Sequence, residues 1–289
     1  MKLSDQQIYF FKTFGFLTFP GYFLNEIDSI ISEFEKVWSL NGGGHAGTEH
    51  DEKRRSALSH FIDQNVYLSS LLDDNRINDA VSSLLGNDFN YSSSDGNFYV
   101  GDTKWHSDWK WPKEPGTSNR KYLSIKMAFY LDHVTRETGC LRVIPGSHLI
   151  GDSFSDNLHN LLTENSTPET ISTLVNPGGN VPSFALESVP GDVVLFDHSI
   201  KHSSWGGSTR RRMFTMNFEE RYAQEDIHIL KEKMGTMTRF WTDKAYGDIM
   251  VKTASPERMR HLEQRLSNQS HLPDLAYKAK TEMQEPSRG

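Results

Sequence analysis

The sequence predicts an α+β protein whose larger part is a β-barrel or two-sheet jelly roll, flanked by helices at both ends. Helical patterns occupy residues 1–87, short β-prone segments fill residues 88–220, and charged helical patterns return over residues 221–289. Many short strands separated by turn signals are typical of barrels and jelly rolls. No boundary in composition divides these parts, so we predict a single domain over residues 1–289.

The composition is that of a globular protein, with 289 residues, 36% of them hydrophobic, and a net charge of -7 spread along the chain. No basic stripe indicates nucleic-acid binding, because the run at residues 210–212 is too short. The single cysteine, Cys140, excludes an internal disulfide and fits a reducing compartment. No apolar signal segment and no apolar run of about 18 residues is found. We therefore predict a soluble, cytoplasmic protein that binds a small molecule, with no nucleic-acid or membrane partner.

The first 87 residues are predicted to be a helical support for the β core. Ser4 and Gln7 form a capping-box pattern for a first helix, which ends at Gly15. Asn25 is the predicted cap of a second helix, whose apolar side chains recur at helical spacing. The other elements predicted here are a strand over 16–19, a glycine-rich loop over 41–55, and helices over 62–72 and 75–85.

The central part is a succession of β-prone segments. They fall at residues 88–92, 95–106, 121–132, 141–145, 183–188, 192–197 and 211–220. Within them, the pair Asp95-Gly96 is a hairpin signal. The polar residues 151–180 are predicted to form an insertion. The charged segment over 221–289 is a candidate lid, and its last residues, 285–289, are predicted to fray.

The stretch from Phe98 to Trp111 carries the candidate chemistry, centred on His106 and Asp108. In a strand, residues i and i+2 point to the same face, so this imidazole and this carboxylate would project together into one cavity. A second histidine from a distant strand would complete the two-histidine, one-carboxylate set that binds non-haem iron(II) with open positions. The triplet alone is a weak signal in a chain with 12 histidines.

A second group of candidate residues follows the strand that starts after residues 190–192. His198 and His202 compete there as the distal metal ligand. Residues 210–212 are three arginines that open an alternating strand, where an arginine can clamp a carboxylate with two parallel hydrogen bonds. The residue types alone do not choose between the two histidines or among the three arginines.

From about Leu3 to Phe218 the chain resembles the phytanoyl-CoA dioxygenase family of iron(II)- and 2-oxoglutarate-dependent oxygenases. The resemblance is carried by the opening helix with the Gly-Phe-Leu and Pro-Gly motifs that follow it, by His-Ser-Asp at 106–108, by the segment 138–148, and by Pro-Gly-Asp at 190–192 with the histidine and arginine beyond. The Pro-Gly-Ser-His sequence that ends the segment 138–148 is its most specific part. The resemblance implies a double-stranded β-helix, a jelly-roll or cupin-like core flanked by N- and C-terminal helices.

The resemblance also implies a role for each candidate residue. The family places its distal ligand eleven residues after the glycine of the Gly-Asp pair, which selects His202 to act with His106 and Asp108. The family's 2-oxoglutarate arginine opens the last strand, which selects Arg211, with Arg210 and Arg212 as neighbouring alternatives. Ser204, two residues past the distal histidine, is implied to touch the same carboxylate. Many members carry a tryptophan where this chain has Ala128, so the walls of the pocket are expected to differ.

On this resemblance the chain is expected to use iron(II), 2-oxoglutarate and O2, to release succinate and CO2, and to be supported by ascorbate. The retained Asp108 implies hydroxylation or a related oxidation, because related halogenases have a small residue there. The expected substrate is a small organic molecule such as a natural-product intermediate. Lys104, Trp109 and Trp111 are the candidate substrate-binding residues, since they surround the motif.

Two other functions are compatible with parts of this pattern. A metal-dependent β-barrel isomerase or hydrolase would keep His106, Asp108 and His202 but would not need Arg211. A non-catalytic small-molecule binding protein would need none of the four. The presence of the complete set favours the oxygenase over the binding protein.

Overall fold

A computed structural model describes residues 2–109, 120–164 and 182–289, and two antiparallel sheets form the core of the described chain. The strands are β1 (Phe16–Phe19), β2 (Ser56–Ser59), β3 (Asn90–Tyr99), β4 (Thr103–His106), β5 (Ser124–Tyr130), β6 (Leu141–Val143), β7 (Phe184–Leu186), β8 (Val193–Asp197), β9 (His202–Ser204) and β10 (Arg211–Glu219). The larger sheet has the order β1-β8-β5-β10-β3-β2, and the smaller has the order β4-β9-β6-β7. The predicted jelly-roll core with flanking helices is confirmed.

The helices lie before and after this core, with one in the predicted insertion. They are α1 (Asp5–Phe14), α2 (Ile27–Leu40), α3 (Val66–Ser70), α4 (Asn75–Leu85), α5 (Ser153–His159), α6 (Ile227–Thr236), α7 (Asp248–Lys252), α8 (Pro256–Leu266) and α9 (Leu272–Glu282). The insertion predicted over residues 151–180 is described only as far as residue 164, where a π-helical turn, Asn160–Glu164, follows α5.

The N-terminal helices pack on the larger sheet, much as the apolar pattern predicts. The capping box at α1 is confirmed, because the Ser4 side chain accepts from the backbone of Gln7 and the Gln7 side chain accepts from the backbone of Ser4. The cap predicted at Asn25 is wrong, because α2 begins at Ile27 and its cap residue makes no side-chain hydrogen bond. The single helix predicted over 62–72 is also wrong, because Asn65 accepts from the backbone of Leu68 and starts a new helix, α3, inside that range.

The hairpin predicted at Asp95-Gly96 is wrong, because β3 runs through both residues from Asn90 to Tyr99. Gly96 serves close packing instead, since a β-carbon there would collide with the ring of Phe61. Two strands were not predicted. β2 and β9 hold only four and three residues, too short to show a period of two.

The C-terminal helices close one side of the larger sheet. Glu219 at the end of β10 is fully buried and pairs with Lys233 of α6 at 2.6 Å and Arg265 of α8 at 2.7 Å. The fraying predicted for residues 285–289 is wrong, because Nε2 of His45 donates to the carbonyl oxygen of Pro286 at 2.9 Å, and other tail residues bond to residues 55 and 239. Among the described helices none is both long and apolar enough to cross a membrane.

Candidate active site

The structure brings His106, Asp108 and His202 together at one end of a cavity. One possible ligand atom from each residue lies within 4.8 Å of the others. Nε2 of His106 is 4.0 Å from Oδ1 of Asp108, and Nε2 of His202 is 3.8 Å from Oδ2. Two imidazole nitrogens and a carboxylate that face one point form a donor set suited to a divalent transition metal.

The register of the smaller sheet explains why the two histidines meet. β4 and β9 are antiparallel, and His106 and His202 are direct cross-strand partners, with ring centroids 4.2 Å apart. Such partners bring side chains close on one face of a sheet. β4 ends at His106, where the strand predicted over 95–106 also ends, and Asp108 lies in the bend that follows.

Backbone carbonyl groups fix the protonation of both imidazoles. Nδ1 of His106 donates to the carbonyl oxygen of Lys104 at 2.7 Å, and Nδ1 of His202 donates to that of Ile200 at 3.0 Å. Because the proton resides on Nδ1, the lone pair of each Nε2 faces the site. This second hydrogen bond is the usual support of a metal-binding histidine.

The electrostatics hold Asp108 and His202 in the states that bind a cation. Burial opposes ionisation of Asp108, but the nearby Lys126 ammonium outweighs it and holds the pKa of Asp108 well below its usual range. Lys126 Nζ donates to Asp108 Oδ2 at 2.7 Å. Burial, with the neighbouring His106, lowers the pKa of His202 to about 3, so its imidazole is neutral at physiological pH.

His198, the competing candidate, occupies a different position. Its ring nitrogens lie 3.0 Å from the hydroxyl of Ser124 and 3.1 Å from Oδ1 of Asn217, which acts as the acceptor. Burial, aided by Lys126, lowers its pKa to about 3. This is a satisfied, neutral histidine on the cavity wall, and its ring nitrogens are engaged by the larger sheet.

The turn between His106 and Asp108 is supported from behind by a lysine that sequence reasoning missed. Lys201 is fully buried, and its Nζ lies 3.1 Å from the hydroxyl of Ser107 and 2.7 Å from Nδ1 of His159 in α5. Burial lowers the pKa of Lys201 to about 7. The insertion is thereby joined to the candidate metal-binding turn.

Beside the triad, Arg211 and Ser204 form a compact anion-binding corner. Ser204 lies two residues after His202 on β9, so both side chains face the cavity. Arg211 is only 4% exposed, and its Nη2 donates to the hydroxyl of Ser204 at 3.0 Å. Its Nε and Nη1 are buried and have no hydrogen-bond partner within the described ranges. A buried guanidinium with free donors fits a carboxylate.

Two glycines make room for this guanidinium. A β-carbon at Gly139 or at Gly207 would collide with Nη1 of Arg211. Gly139 also has a φ of +93°, a conformation that residues with a side chain rarely adopt. The Gly139 that precedes Cys140 therefore shapes the corner around Arg211.

The other two arginines point away from the cavity. Arg210 pairs with Glu35 at 2.8 Å, and its side chain is 42% exposed. Arg212 pairs with Glu35 at 2.9 Å and with Asp132 at 2.6 Å. Alternation along β10 thus leaves Arg211 as the one arginine of residues 210–212 that lines the cavity.

The cavity has a volume of about 610 Å³ and contains both the triad and the arginine corner. Ala128 lies on its wall near Tyr130. Lys104 lines the cavity, whereas Trp109 is not among the lining residues, although its ring lies 5.2 Å from the ammonium of Lys233, which is. Trp111 lies outside the described residues.

The remaining cavity residues belong to no sequence motif. Lys126 lies on β5, whereas Lys233 of α6 and Arg265 of α8, which share the cavity with it, follow more than 100 positions later. The cavity is also lined by Arg55 and Arg239, and the four residues Arg55, Lys233, Arg239 and Arg265 are separated by up to 210 positions. Only the packing of the C-terminal helices on the larger sheet brings them together.

Comparison with known proteins agrees with this architecture. The sequence model of the phytanoyl-CoA dioxygenase family (PhyH) matches residues 11–214. A search of curated proteins finds no match.

Solved structures share the fold at low sequence identity. HygX from Streptomyces hygroscopicus, with nickel and 2-oxoglutarate bound, has 18% identity and a TM-score of 0.57, covering 77% of this chain and 89% of that one. EctD from S. alaskensis, with 2-oxoglutarate and 5-hydroxyectoine, has 23% identity and a TM-score of 0.54, covering 75% and 76%. The non-haem α-ketoglutarate-dependent carbocyclase SnoK from nogalamycin biosynthesis has 19% identity and a TM-score of 0.54, covering 79% and 90%.

Proposed function

We propose that this chain, which belongs to the phytanoyl-CoA dioxygenase family, is an iron(II)- and 2-oxoglutarate-dependent dioxygenase that hydroxylates a small organic molecule. The observation that carries the proposal is the convergence of His106, Asp108 and His202 beside the buried, incompletely bonded guanidinium of Arg211. An isomerase or hydrolase would use the triad alone and would leave this guanidinium without a role. Two solved structures with this fold, HygX and EctD, contain bound 2-oxoglutarate, which supports the proposal.

The triad would hold the metal through Nε2 of His106, Nε2 of His202 and the Asp108 carboxylate. Three ligands on one face leave open positions for a co-substrate. When bound, iron(II) and 2-oxoglutarate would activate O2, with release of succinate and CO2. Ascorbate would keep the iron reduced. Asp108 fills the third ligand position, which favours oxygen transfer to substrate over halogenation.

Arg211 and Ser204 would orient 2-oxoglutarate through its far carboxylate. Nε and Nη1 of Arg211 remain available as donors, while Nη2 and the Thr103 hydroxyl hold Ser204 in place at 3.0 and 2.9 Å. A charge-assisted hydrogen bond in a buried site is stronger than one in water, so this corner would contribute much of the affinity. The surrounding wall, which includes Tyr130 and Ala128, keeps water from the bound carboxylate.

The substrate would occupy the part of the cavity beyond the triad. Lys104 is proposed as a substrate contact because it lines that space. Trp109 and Trp111, in the segment that follows Asp108, remain predicted substrate contacts. A natural-product or other secondary-metabolite intermediate fits the size of the cavity, which lies in the range typical of small-molecule sites.

The proposal is tested by incubating the protein with iron(II), ascorbate and 2-oxoglutarate and measuring succinate. Even without substrate, the wild type is expected to form succinate slowly. The Arg211→Ala variant should need at least roughly tenfold more 2-oxoglutarate, because a buried charge-assisted bond is lost. Arg210→Ala is the matched control, since its side chain lies outside the cavity and its loss should leave the 2-oxoglutarate requirement unchanged.

Two results would reject the oxygenase. Wild-type protein that binds metal but forms no succinate under any condition favours a metal-dependent isomerase or hydrolase. Protein that binds no divalent metal at all favours a non-catalytic binding protein. Mass spectrometry of the product, once a substrate is found, separates hydroxylation, a gain of one oxygen atom, from cyclisation or desaturation, a loss of two hydrogen atoms.

A further inference from the structure

The cavity as a whole has an unusual charge. Among the described residues that line the cavity, seven are lysine or arginine and only two, Asp95 and Asp108, are acidic. The chain as a whole has the opposite sign, with a net charge of -7. A cleft lined by one sign of charge concentrates ligands of the other sign.

Two of the seven cations belong to the proposed reaction site. Lys126 bonds to Asp108, and Arg211 faces the 2-oxoglutarate corner. Two more, Lys233 and Arg265, share the single buried carboxylate of Glu219 behind the cavity wall. This pair of cations is therefore only half neutralised.

Arg55 and Arg239 are different, because neither forms an ion pair with a carboxylate within the described ranges. Nε and Nη2 of Arg55 donate to the neutral amide oxygen of Asn97 at 2.9 and 2.7 Å. The guanidinium of Arg239 lies over the ring of Phe240 at 4.7 Å. Both line the cavity, so an anion bound there would lie near guanidinium groups that pair with no described side-chain carboxylate.

Part of the cavity wall is hydrophilic. It is formed by the side chains of Ser92, Ser93, Asp95, Thr215 and Asn217, from the face of β3 and β10 that lies towards the cavity. Some of these groups bond to one another, since Thr215 donates to Asp95 at 3.3 Å and Asn217 donates to the hydroxyl of Ser93 at 3.2 Å. A long apolar chain would shield them from water without offering a hydrogen bond, so it would be a poor occupant, whereas hydroxyl or amino groups would bond to them.

We propose that the substrate is a compact, hydrophilic anion whose carboxylate or phosphate group is bound by Arg55 and Arg239. Its hydrogen-bonding body lies along the serine, threonine and asparagine side chains of β3 and β10, and the carbon to be oxidised points towards the triad. This inference rests on the proposed function, because it takes the triad end of the cavity as the place of reaction.

The experiment is calorimetry on the whole protein loaded with manganese(II) and saturated with 2-oxoglutarate, so that Arg211 is already occupied. The probes are inorganic phosphate, glucose 6-phosphate and glucuronate, with glucose as the neutral partner. We expect at least one anion to bind about tenfold more tightly than glucose, because a charge-assisted bond to arginine is gained. The sugar phosphate and the sugar acid then distinguish the two anionic groups.

Arg55→Gln and Arg239→Gln should each weaken that binding about tenfold or more, since a charged donor is replaced by a neutral one. Arg210→Gln is the matched surface control and should bind as the wild type does. The affinity for 2-oxoglutarate should stay unchanged in all three variants, which also shows that each is folded.

The inference is overturned if no anion binds more tightly than glucose, or if both cavity variants bind the anions as the wild type does. In either case intact binding of 2-oxoglutarate to the manganese-loaded protein leaves the proposed function standing. Failure of the wild type to bind 2-oxoglutarate would instead remove the proposed function and, with it, the basis of this inference.

Discussion

The two ends of the cavity are built in different ways. At the triad end, strand register sets the geometry, because His106 and His202 are cross-strand partners and Ser204 follows on the same face of β9. At the outer end, which is lined by the C-terminal helices, Lys233 and Arg265 come from separate helices and pair with the same buried carboxylate, Glu219. The first end depends on a local backbone arrangement, whereas the second depends on tertiary packing of distant segments.

This difference suggests a division of roles. His106, His202, Ser204 and Arg211 lie on strands of the two-sheet core, and Asp108 follows one of them; the chain shares this fold with structures such as HygX and EctD. The matched family region ends at residue 214, before α6 begins. We expect the shared core to carry the reaction and the C-terminal helices to determine which substrate is accepted.

The largest effect is expected from His202→Ala, which removes a ligand from the triad end. Succinate formation should fall by at least about 100-fold, since loss of a direct ligand should exceed the 10- to 100-fold cost of losing an outer-shell partner. Metal content per chain, measured by elemental analysis, should fall with it. His198→Gln is the matched control, because glutamine keeps a donor and an acceptor on the same cavity wall. Equal loss in both variants would contradict the different roles of the two histidines.

The next effect is expected from Glu219→Gln at the outer end. The buried Arg265 and the partly exposed Lys233 would lose their shared carboxylate, and breaking the buried pair should lower the free energy of unfolding by about 3 kcal/mol. Urea denaturation measures the change. Glu263→Gln is the control, because Glu263 forms an exposed pair with Arg221 and its loss should cost less than about 1 kcal/mol.

Glu219 also gives the stability a defined dependence on pH. Burial raises its pKa, but Lys233 and Arg265 outweigh burial and bring the pKa below its usual 4.5. A group with a lowered folded-state pKa stabilises the protein above its unfolded pKa, and this contribution disappears as the pH falls through the folded-state value. The stability difference between wild type and Glu219→Gln should therefore shrink below pH 4.5. A difference that grows on acidification would contradict this assignment.

A smaller effect is expected from Gly139→Ala, which places a methyl group against Arg211. The 2-oxoglutarate affinity should weaken by about tenfold, because the guanidinium must move from its bonding position. Gly101→Ala is the matched control. Gly101 also has a positive φ, of +59°, but no atom beyond its chain neighbours lies within 4 Å of the position of a new β-carbon. If both variants lose the same affinity, backbone strain rather than the corner is responsible.

The smallest effect is expected from Arg212→Ala. Arg212 pairs with Asp132 and Glu35 outside the cavity, so its loss should cost about 1 kcal/mol of stability. The affinity for 2-oxoglutarate should not change. A thermal melt and a 2-oxoglutarate titration together check this. A loss of affinity as large as that of Arg211→Ala would contradict the different roles of Arg211 and Arg212.

The sequence predicted the triad end of the cavity better than it predicted the outer end. The capping box of α1, the β core and the convergence of His106, Asp108 and His202 were all open to prediction, since each depends on local spacing or on a family motif. The break at Asn65 and the straight course of β3 through Gly96 were mispredicted. In those places an internal cap and a neighbouring ring, Phe61, override the local signal.

The outer end could not be predicted in the same way. Arg55 and Arg239 lie far apart in sequence and belong to no motif, and ordinary surface arginines have the same local surroundings. The sequence also failed to predict that residues 285–289 are held in place, because this depends on contacts with His45 and Arg55 more than 200 residues away. Long-range packing, which no local pattern encodes, decides both features.

The most direct test of the central claim is calorimetric titration of 2-oxoglutarate into the wild-type protein with and without manganese(II), which allows binding without turnover. If the triad and Arg211 form one site, about one molecule of 2-oxoglutarate should bind per chain, and only when the metal is present. Binding that is equally tight without metal, or no binding to the metal-loaded protein, would contradict the account.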